Sequence, residues 1–476
     1  MDEEESKPLL LDDGNDTFNS NNQKKSVFGK RKNKIGVVDT FNSIDLLFNQ
    51  TEAEEEPDYI VSVFVVTFDT RCGNMVEWST PSELDLSSIE FKAMPSGAHT
   101  VESDFIYFRL NNLFGLSCFE KMRVNSVEER GARMKSVGIL ASTYTTLFRH
   151  MQFLEMQVRH HLQTPGNYLQ LEEFYKDRHG VLPPLVQQPS NANHIKNTNQ
   201  FPHMKITHPA GCFSQFIKFF GENIFVLWKL VLLGKRILFF SPPPIGVVCY
   251  RVYCACCLGK VAVNGFEHKT PKPYFYINVA DIEDVENELN YIACTTERIF
   301  REKSRLYDIY VDNQVIVSTD VQSKDLLKVN KVDKEKYQNL LNHRNDLLFH
   351  QEIGDDNVPT EEEVYQSYFI HQNNQLFETL MEAASSRDKT LTEDHIKAMG
   401  LDPVGDRHFI MDLLELYAID VMLVVDNPCC PVTGFLFYYM DKILHFIQRG
   451  MSWDPRFGPQ LLSLLTLKEL LQAKWV

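Results

Sequence analysis

Apolar residues fall into short runs along this chain, and the period of those runs changes from region to region. IVSVFVVTFD (60–69) is a continuous β-branched and aromatic run, which predicts a strand buried on both faces. RCGN supplies a turn after it, and MVEWS a second short strand. FIYFRL and LFGLSCF flank Asn111-Asn112, a pair that tolerates the positive φ of a tight hairpin. Helices are expected next. Ser126-Val-Glu-Glu129 has the form of a capping box, in which hydroxyl and carboxylate each satisfy an exposed amide. Tyr144, Leu147, Phe148, Met151, Leu154, Val158 and Leu162 then share one helical face, ended by Pro165-Gly166. Arg149, Arg159, His160 and His161 stand away from that stripe and read as a solvated outer face.

A stretch rich in Pro, Asn and His (166–210) reads as a long linker between two lobes. The second lobe alternates helix and strand. Cys212–Leu233 is expected to be helical, with Gly234 as its C-terminal cap and Lys235 and Arg236 at the negative end of its dipole. Arg236–Ser241 is a strand whose Ile237, Leu238, Phe239 and Phe240 should be inaccessible, and three prolines stop it. The cysteine-rich run VVCYRVYCACCLG is a helix. Tyr274–Val279 and Tyr307–Val317 are strands, with a helix at Asp281–Thr296 between them. Such alternation implies a mainly parallel, doubly covered sheet, so the fold class is α/β. Beyond Leu326 the chain is charged and helical. Thr360-Glu-Glu-Glu363 is a second capping box, opening a helix through about Ala384, and Asp406–Tyr417 and Tyr438–Gln448 are two more.

Composition narrows the function classes. Residues 1–57 alternate acidic, Asn-rich and basic blocks that cannot bury a core, which reads as a disordered tail. The start, MDEEESKPLLLDDGND, has neither the basic opening nor the apolar core of a targeting peptide. A formal net charge of −16 over 476 residues argues against a broad nucleic-acid surface. The most apolar stretch, LWKLVLLGKRILFFSPPP (227–244), is interrupted by Lys229, Lys235 and Arg236, whereas a bilayer helix needs about 20 apolar residues. Ten cysteines without a secretory signal imply reduced thiols in the cytoplasm. Cys249, Cys254, Cys256, Cys257 and Cys294 sit in apolar surroundings and read as packing residues rather than zinc ligands.

The chain also lacks the usual catalytic constellations. It has no G-x-S-x-G. Gly234-Lys235 imitates the end of a phosphate loop, but position 229 is Lys rather than Gly and Arg follows. The 15 histidines are scattered, with no H-E-x-x-H, and the adjacent His160 and His161 point to different sides of a helix. No metal, cofactor or catalytic residue is expected.

Several segments carry a family resemblance. FVVTFDTRCGNMVEW with FIYFRLNNLFGLSCF, and ERGARMKSVGILASTYTTLFRHMQFLE after them, resemble a longin-like upstream module and the helices that close it. LWKLVLLGKRILFFSPPP, PYFYINVADIED and LYDIYVDNQVI resemble the core segment and later strands of DENN-domain proteins, in their LCHN branch. The resemblance implies a bilobed DENN fold. Its parts are an upstream module at 58–165, a core module at 211–345 and a helical downstream module at 346–476. It also implies a guanine nucleotide exchange factor that promotes GDP release from a Rab-type small GTPase in membrane trafficking. The alternative it implies is a scaffold, or a GTPase-activating component that uses an Arg. Arg71, Arg109 and Arg123 lie near strand ends, and none is marked as such an Arg. The resemblance assigns no GTPase-contact residue.

Two patterns in the tail concern location. Lys24, Lys25, Lys30, Arg31, Lys32 and Lys34, with Phe28 among them, form a basic patch. It fits peripheral contact with an anionic membrane, a nuclear-import signal or an inert solvated run. Glu5, Leu9 and Leu10 match an acidic dileucine signal, in which two leucines enter an apolar pocket of a clathrin adaptor while the acid meets a basic rim. That pattern predicts recruitment to endosomal membranes. Leu9→Ala with Leu10→Ala should abolish adaptor pull-down and membrane recruitment; unchanged recruitment would remove the motif from consideration.

Overall fold

The first apolar runs form β1 (Ile60–Asp69) and β2 (Gly73–Thr80), followed by the short helix α1 (Ile89–Ala93). These and all elements below belong to a computed structural model that describes residues 59–126, 128–179, 213–263, 271–318, 320, 322–349 and 361–424. The hairpin β3 (Ser103–Leu110) and β4 (Leu113–Arg123) turns at Asn111, whose φ is 54°. β5 (Ala132–Ala141), α2 (Met151–Gln163) and α3 (Leu169–Arg178) complete the first half.

Three expectations fail here. Ser126 does accept the Glu129 N–H, but the bond closes a turn between β4 and β5 rather than starting a helix, because the same hydroxyl bond serves both. ARMKSVGILA is therefore a strand, paired with β4 and β1 on its two sides. His161 is fully buried, with its ring stacked on Tyr168, whereas Arg149 and Arg159 are exposed. The stretch read as linker begins with α3, and Phe174 stacks on Phe153 of α2 at 4.1 Å.

The second half opens with α4 (Phe213–Phe220) and α5 (Ile224–Leu232), one expected helix broken at Gly221. β6 (Ile237–Phe240) follows, with all four side chains buried, then α6 (Gly246–Leu258), β7 (Pro273–Tyr276) and α7 (Ile282–Glu286). The expected helix through Thr296 stops early, because Tyr291 and Ile292 open the buried strand β8 (Ile292–Thr295). The single strand expected at 307–317 is a hairpin, β9 (Ile309–Asp312) and β10 (Val315–Ser318), turning at Asn313 with φ 55°. All five cysteines assigned to packing are buried.

One sheet runs β10-β9-β6-β8-β7-β3-β4-β5-β1-β2. β9, β6, β8 and β7 are mutually parallel, as the alternation implied. The two halves meet at one backbone bridge, Phe108 to Tyr276.

The remaining described helices are α8 (Lys331–Phe349), α9 (Glu361–Ser385), α10 (Glu393–Ala398) and α11 (Arg407–Leu416). Two-residue strands β11 (Thr390–Leu391) and β12 (Met422–Leu423) pair beside them. The helix expected at Tyr438–Gln448 lies outside the described residues.

Every residue of α5 is buried, Lys229 included. The helix ends in a Schellman arrangement: Gly234, at φ 61°, donates to the Val231 carbonyl and Lys235 to the Leu230 carbonyl. Lys229 Nζ lies 2.7 Å from Asp333 Oδ2 on α8 and 2.6 Å from Asp406 Oδ1 at the start of α11. Next to it, Trp228 Nε1 donates to Asn373 of α9 at 2.6 Å, and the Asn373 amide donates to the Leu258 and Lys260 carbonyls. Removing one member of a buried ionic group strands the others. Lys229→Met should therefore cost about 3–5 kcal/mol of stability in urea titrations. Adding Asp333→Asn and Asp406→Asn should restore a large part of the loss; no restoration would mean that the cation acts by shape alone.

Candidate functional site

Parallel strands release their chain at their carboxyl ends, and open α/β sheets bind ligands in the crevice outside those ends. Here β6 leads into Ser241–Pro244, β7 into Ile277–Asp281 and β8 into Thr296–Arg298. The first half of the sheet is fastened to these loops. Lys92 of α1 pairs with Asp281 at 2.5 Å, both groups buried. The Ser96 N–H donates to Tyr276 Oη at 3.4 Å.

Asp104 of β3 makes the second fastening. Its carboxylate accepts the N–H groups of Ile245 and Gly246 at 2.6 and 3.1 Å, at the amino end of α6. Gly246 is required there, since a Cβ would come 2.4 Å from the Phe105 carbonyl oxygen. Burial pushes the Asp104 carboxyl up to about 6, outweighing the amide bonds that pull it down.

Between the fastenings lies a cluster of aromatic rings. Phe275 meets Tyr107, Phe114 and Tyr144 at 5.4, 6.4 and 5.5 Å between centroids. It holds a φ of 56°, costly for a bulky residue, at an irregularity in the β7–β8 register. The irregularity turns the ring toward the first half of the sheet.

Exposed apolar side chains stand on several elements around this junction and on β1. Phe68 faces the same side as its pair partner Asn74, whose amide donates to the Met94 carbonyl just past α1. On α1, Phe91 is 48% exposed beside the buried Lys92. Asp281 accepts the Asn278 N–H at 2.9 Å, and the next residue, Val279, is 50% exposed. The Val279 N–H donates to the Glu297 carboxylate at 3.0 Å, and two residues on Ile299 is 52% exposed. Burial raises the Glu297 carboxyl above its ordinary range despite that bond. Phe91, Val279 and Ile299 thus leave exposed apolar side chains on α1 and on the loops after β7 and β8, the elements that the Lys92–Asp281 pair fastens together.

Glu5, Leu9, Leu10, Lys24, Lys25, Lys30, Arg31, Lys32 and Lys34 lie outside the described residues. Arg109 is engaged locally: it bonds the Asn111 carbonyl and lies over the Tyr274 ring at 4.5 Å. Arg71 and Arg123 are exposed. Among the described residues, no group of three His, Cys, Asp or Glu is placed to hold a metal ion, and no helix is long and apolar enough to cross a membrane. Sequence reasoning missed Lys92, Asp104 and Asp281. Asn278-x-x-Asp281 is a capping box in plain view, and both of its reciprocal bonds form.

Comparison with known proteins gives a consistent result. A family model described as DENN domain-containing protein 11 matches residues 63–323. DENN domain-containing protein 11 of Mus musculus is 57% identical over 388 residues, covering 79% of this chain and 84% of that protein. The Xenopus laevis protein of the same description is 58% identical over 381 residues, 79% of this chain and 88% of its own. More distantly, late secretory pathway protein avl9 of Schizosaccharomyces pombe is 25% identical over 198 residues, 38% of each chain.

Asp104 yields a pH test of the junction. Its folded pKa lies above the ordinary 3.8, so the folded state binds the extra proton between about 4 and 6. That contribution is present at low pH and is lost as pH rises through about 6. Asp104→Asn does not titrate, so its stability relative to wild type should improve between pH 4 and 7 in paired urea titrations. A pH-independent difference would contradict the assignment.

Proposed function

The chain belongs to the DENN domain-containing protein 11 family, and from that premise we propose that it binds a Rab-type small GTPase and promotes release of its GDP in membrane trafficking. The observation that carries this reading is the exposed Phe91, Val279 and Ile299, held by α1 of the first half and by the loops at the carboxyl ends of β7 and β8 in the second. In this reading the first half is a longin-like module and the second the core module, and the GTPase lies across both. The distant relative named for the late secretory pathway supports a trafficking role. Action would be at the cytoplasmic face of endosomal membranes, with clathrin adaptors as candidate partners of the tail.

The chemistry asked of such a surface is modest. A GTPase holds its nucleotide tightly, with picomolar affinity corresponding to about −16 kcal/mol. A partner that prefers the nucleotide-free state weakens nucleotide binding by the same factor, by linkage. Phe91 and Val279 supply exposed apolar area that a partner can cover, and the buried Lys92–Asp281 pair between them fixes their spacing. No proton transfer or covalent step is needed, and cellular GTP excess sets the direction.

The test is release of fluorescent nucleotide from a panel of Rab-type GTPases. Wild type should accelerate release from at least one, equally from the GDP and GTP forms within a modest factor. Phe91→Asp with Val279→Asp should slow that acceleration by about tenfold or more, equivalent to about 1.4 kcal/mol, with the unfolding midpoint unchanged. Stable binding without faster release would make the protein a scaffold. Faster phosphate production, lost on one Arg substitution, would make it an activator of hydrolysis.

A further inference from the structure

β2 ends the sheet, so its outer backbone edge has no strand partner among the described residues. Toward its carboxyl end the strand bulges. Val66 pairs with Val76 and Val65 with Trp78, which leaves Glu77 as an extra residue. A bulge breaks the alternation of faces, and here two successive side chains reach the same residue. Trp78 stacks on Tyr168 at 5.0 Å between centroids and 7° from parallel, and Glu77 accepts the Tyr168 hydroxyl at 2.6 Å. Tyr168 also stacks on the buried His161. Glu77 pairs with the buried Lys135, so its charge is already spent. The indole of Trp78 is therefore held in one orientation before any ligand arrives.

Trp78 stays partly exposed and lines a groove of about 270 Å³ between β2 and α3. Glu172, Tyr175 and Lys176 form the α3 side, because their spacing puts them on one face of that helix. Ser79, Thr80 and Ser82 line the strand side. The Lys176 ammonium is engaged with Glu173 at 2.8 Å. The Glu172 carboxylate has neither a hydrogen bond nor an ion pair among the described residues. An uncommitted carboxylate between two aromatic residues suits a planar cation. A guanidinium stacks on an indole face and offers a carboxylate two parallel N–H donors, whereas an ammonium is a compact and strongly hydrated point charge. The hydroxyls and the unpaired edge of β2 suit the peptide bonds on either side of such a cation.

We propose that this groove binds an arginine side chain of an extended peptide from a partner protein. The guanidinium packs against Trp78 and Tyr175 and pairs with Glu172, and the flanking peptide bonds lie along the outer edge of β2. The formal net charge of −16 favours approach of a basic segment. The groove does not include Phe91, Val279 or Ile299, so the site stands whether or not those residues contact a GTPase.

Fluorine NMR of the full-length chain labelled with fluorotryptophan reads the groove directly. The chain has four tryptophans, and Trp78→Phe identifies the resonance of Trp78. The probes are acetyl-Gly-Arg-Gly-amide, the same tripeptide with citrulline in place of arginine, and free L-arginine. The arginine peptide should shift the Trp78 resonance saturably, in the millimolar range of a one-side-chain site. The citrulline peptide, of the same shape but uncharged, should leave it in place at the same concentrations. Glu172→Gln should weaken the arginine peptide by about tenfold or more, the size of a lost charge-assisted hydrogen bond. Its unfolding midpoint should stay unchanged, since Glu172 bonds to nothing in the fold. No shift with the arginine peptide overturns the proposal. So does an equal shift with citrulline, or equal affinity after Glu172→Gln, since either removes the cation from the interaction. Free L-arginine binding as tightly as the peptide overturns the assignment to a peptide. A shift produced instead by acetyl-Gly-Glu-Gly-amide and lost in Lys176→Ala makes this a groove for anions and overturns the proposal equally.

Discussion

One buried ammonium organises the second half of this protein. Lys229 projects from a helix that is otherwise all apolar, and it is held by Asp333 and Asp406, which arrive from two different helices more than a hundred residues downstream. A lone charge in that position would cost several kcal/mol, so α5 can be buried only if α8 and α11 are in place. The converse also holds, because the two carboxylates have no access to water. Lys336 adds a second cation to the cluster, 3.8 Å from Asp333 and over the rings of Phe225 and Trp228, and burial pulls it down to about 8. The charged C-terminal helices are thus a condition for the apolar core rather than an appendage to it.

A different device holds the two halves of the sheet together. A single backbone bridge joins them, and one bridge contributes little against the entropy of fixing two bodies. The junction relies instead on side chains: the buried Lys92–Asp281 pair, the Asp104 carboxylate on the amino end of α6, and the rings around Phe275. The strain at Phe275 fits this view. An unfavourable φ is tolerated because the ring then bridges the halves, contacting three aromatic residues of the first.

How much of this could be read from the sequence depended on the range of the interaction. β1, the hairpin at Asn111, the buried ILFF strand and the cap at Gly234 follow from local pattern, and each stands where the residues implied. β8 was hidden because its four residues follow the acidic run DIEDVENELN, whose helical character extended too far over them. Ser126 misled because one hydroxyl bond begins both turns and helices. His161 looked solvent-facing on a helical wheel, but α3 returns across it and brings Tyr168 onto its ring. The fastenings were invisible for a plainer reason. Lys92 and Asp281 are 189 residues apart, and no local period connects them.

That separation bears on the surface proposed to bind the GTPase. Exposed apolar residues carried by α1 and by the loops after β7 and β8 keep their relative positions only if the halves do not shift. A binding surface that must displace elements of a partner does so with whatever binding energy is not spent on ordering itself. Side chains that are buried, paired and ring-packed have already lost their freedom during folding, so the exposed Phe91 and Val279 are presented on a frame that is set in advance. Under the proposed function, the junction is where folding stability and partner recognition draw on the same residues. Loosening Asp104 or Phe275 should blur the surface and weaken the sheet together, because one continuous apolar core runs through both halves and these residues sit where they meet.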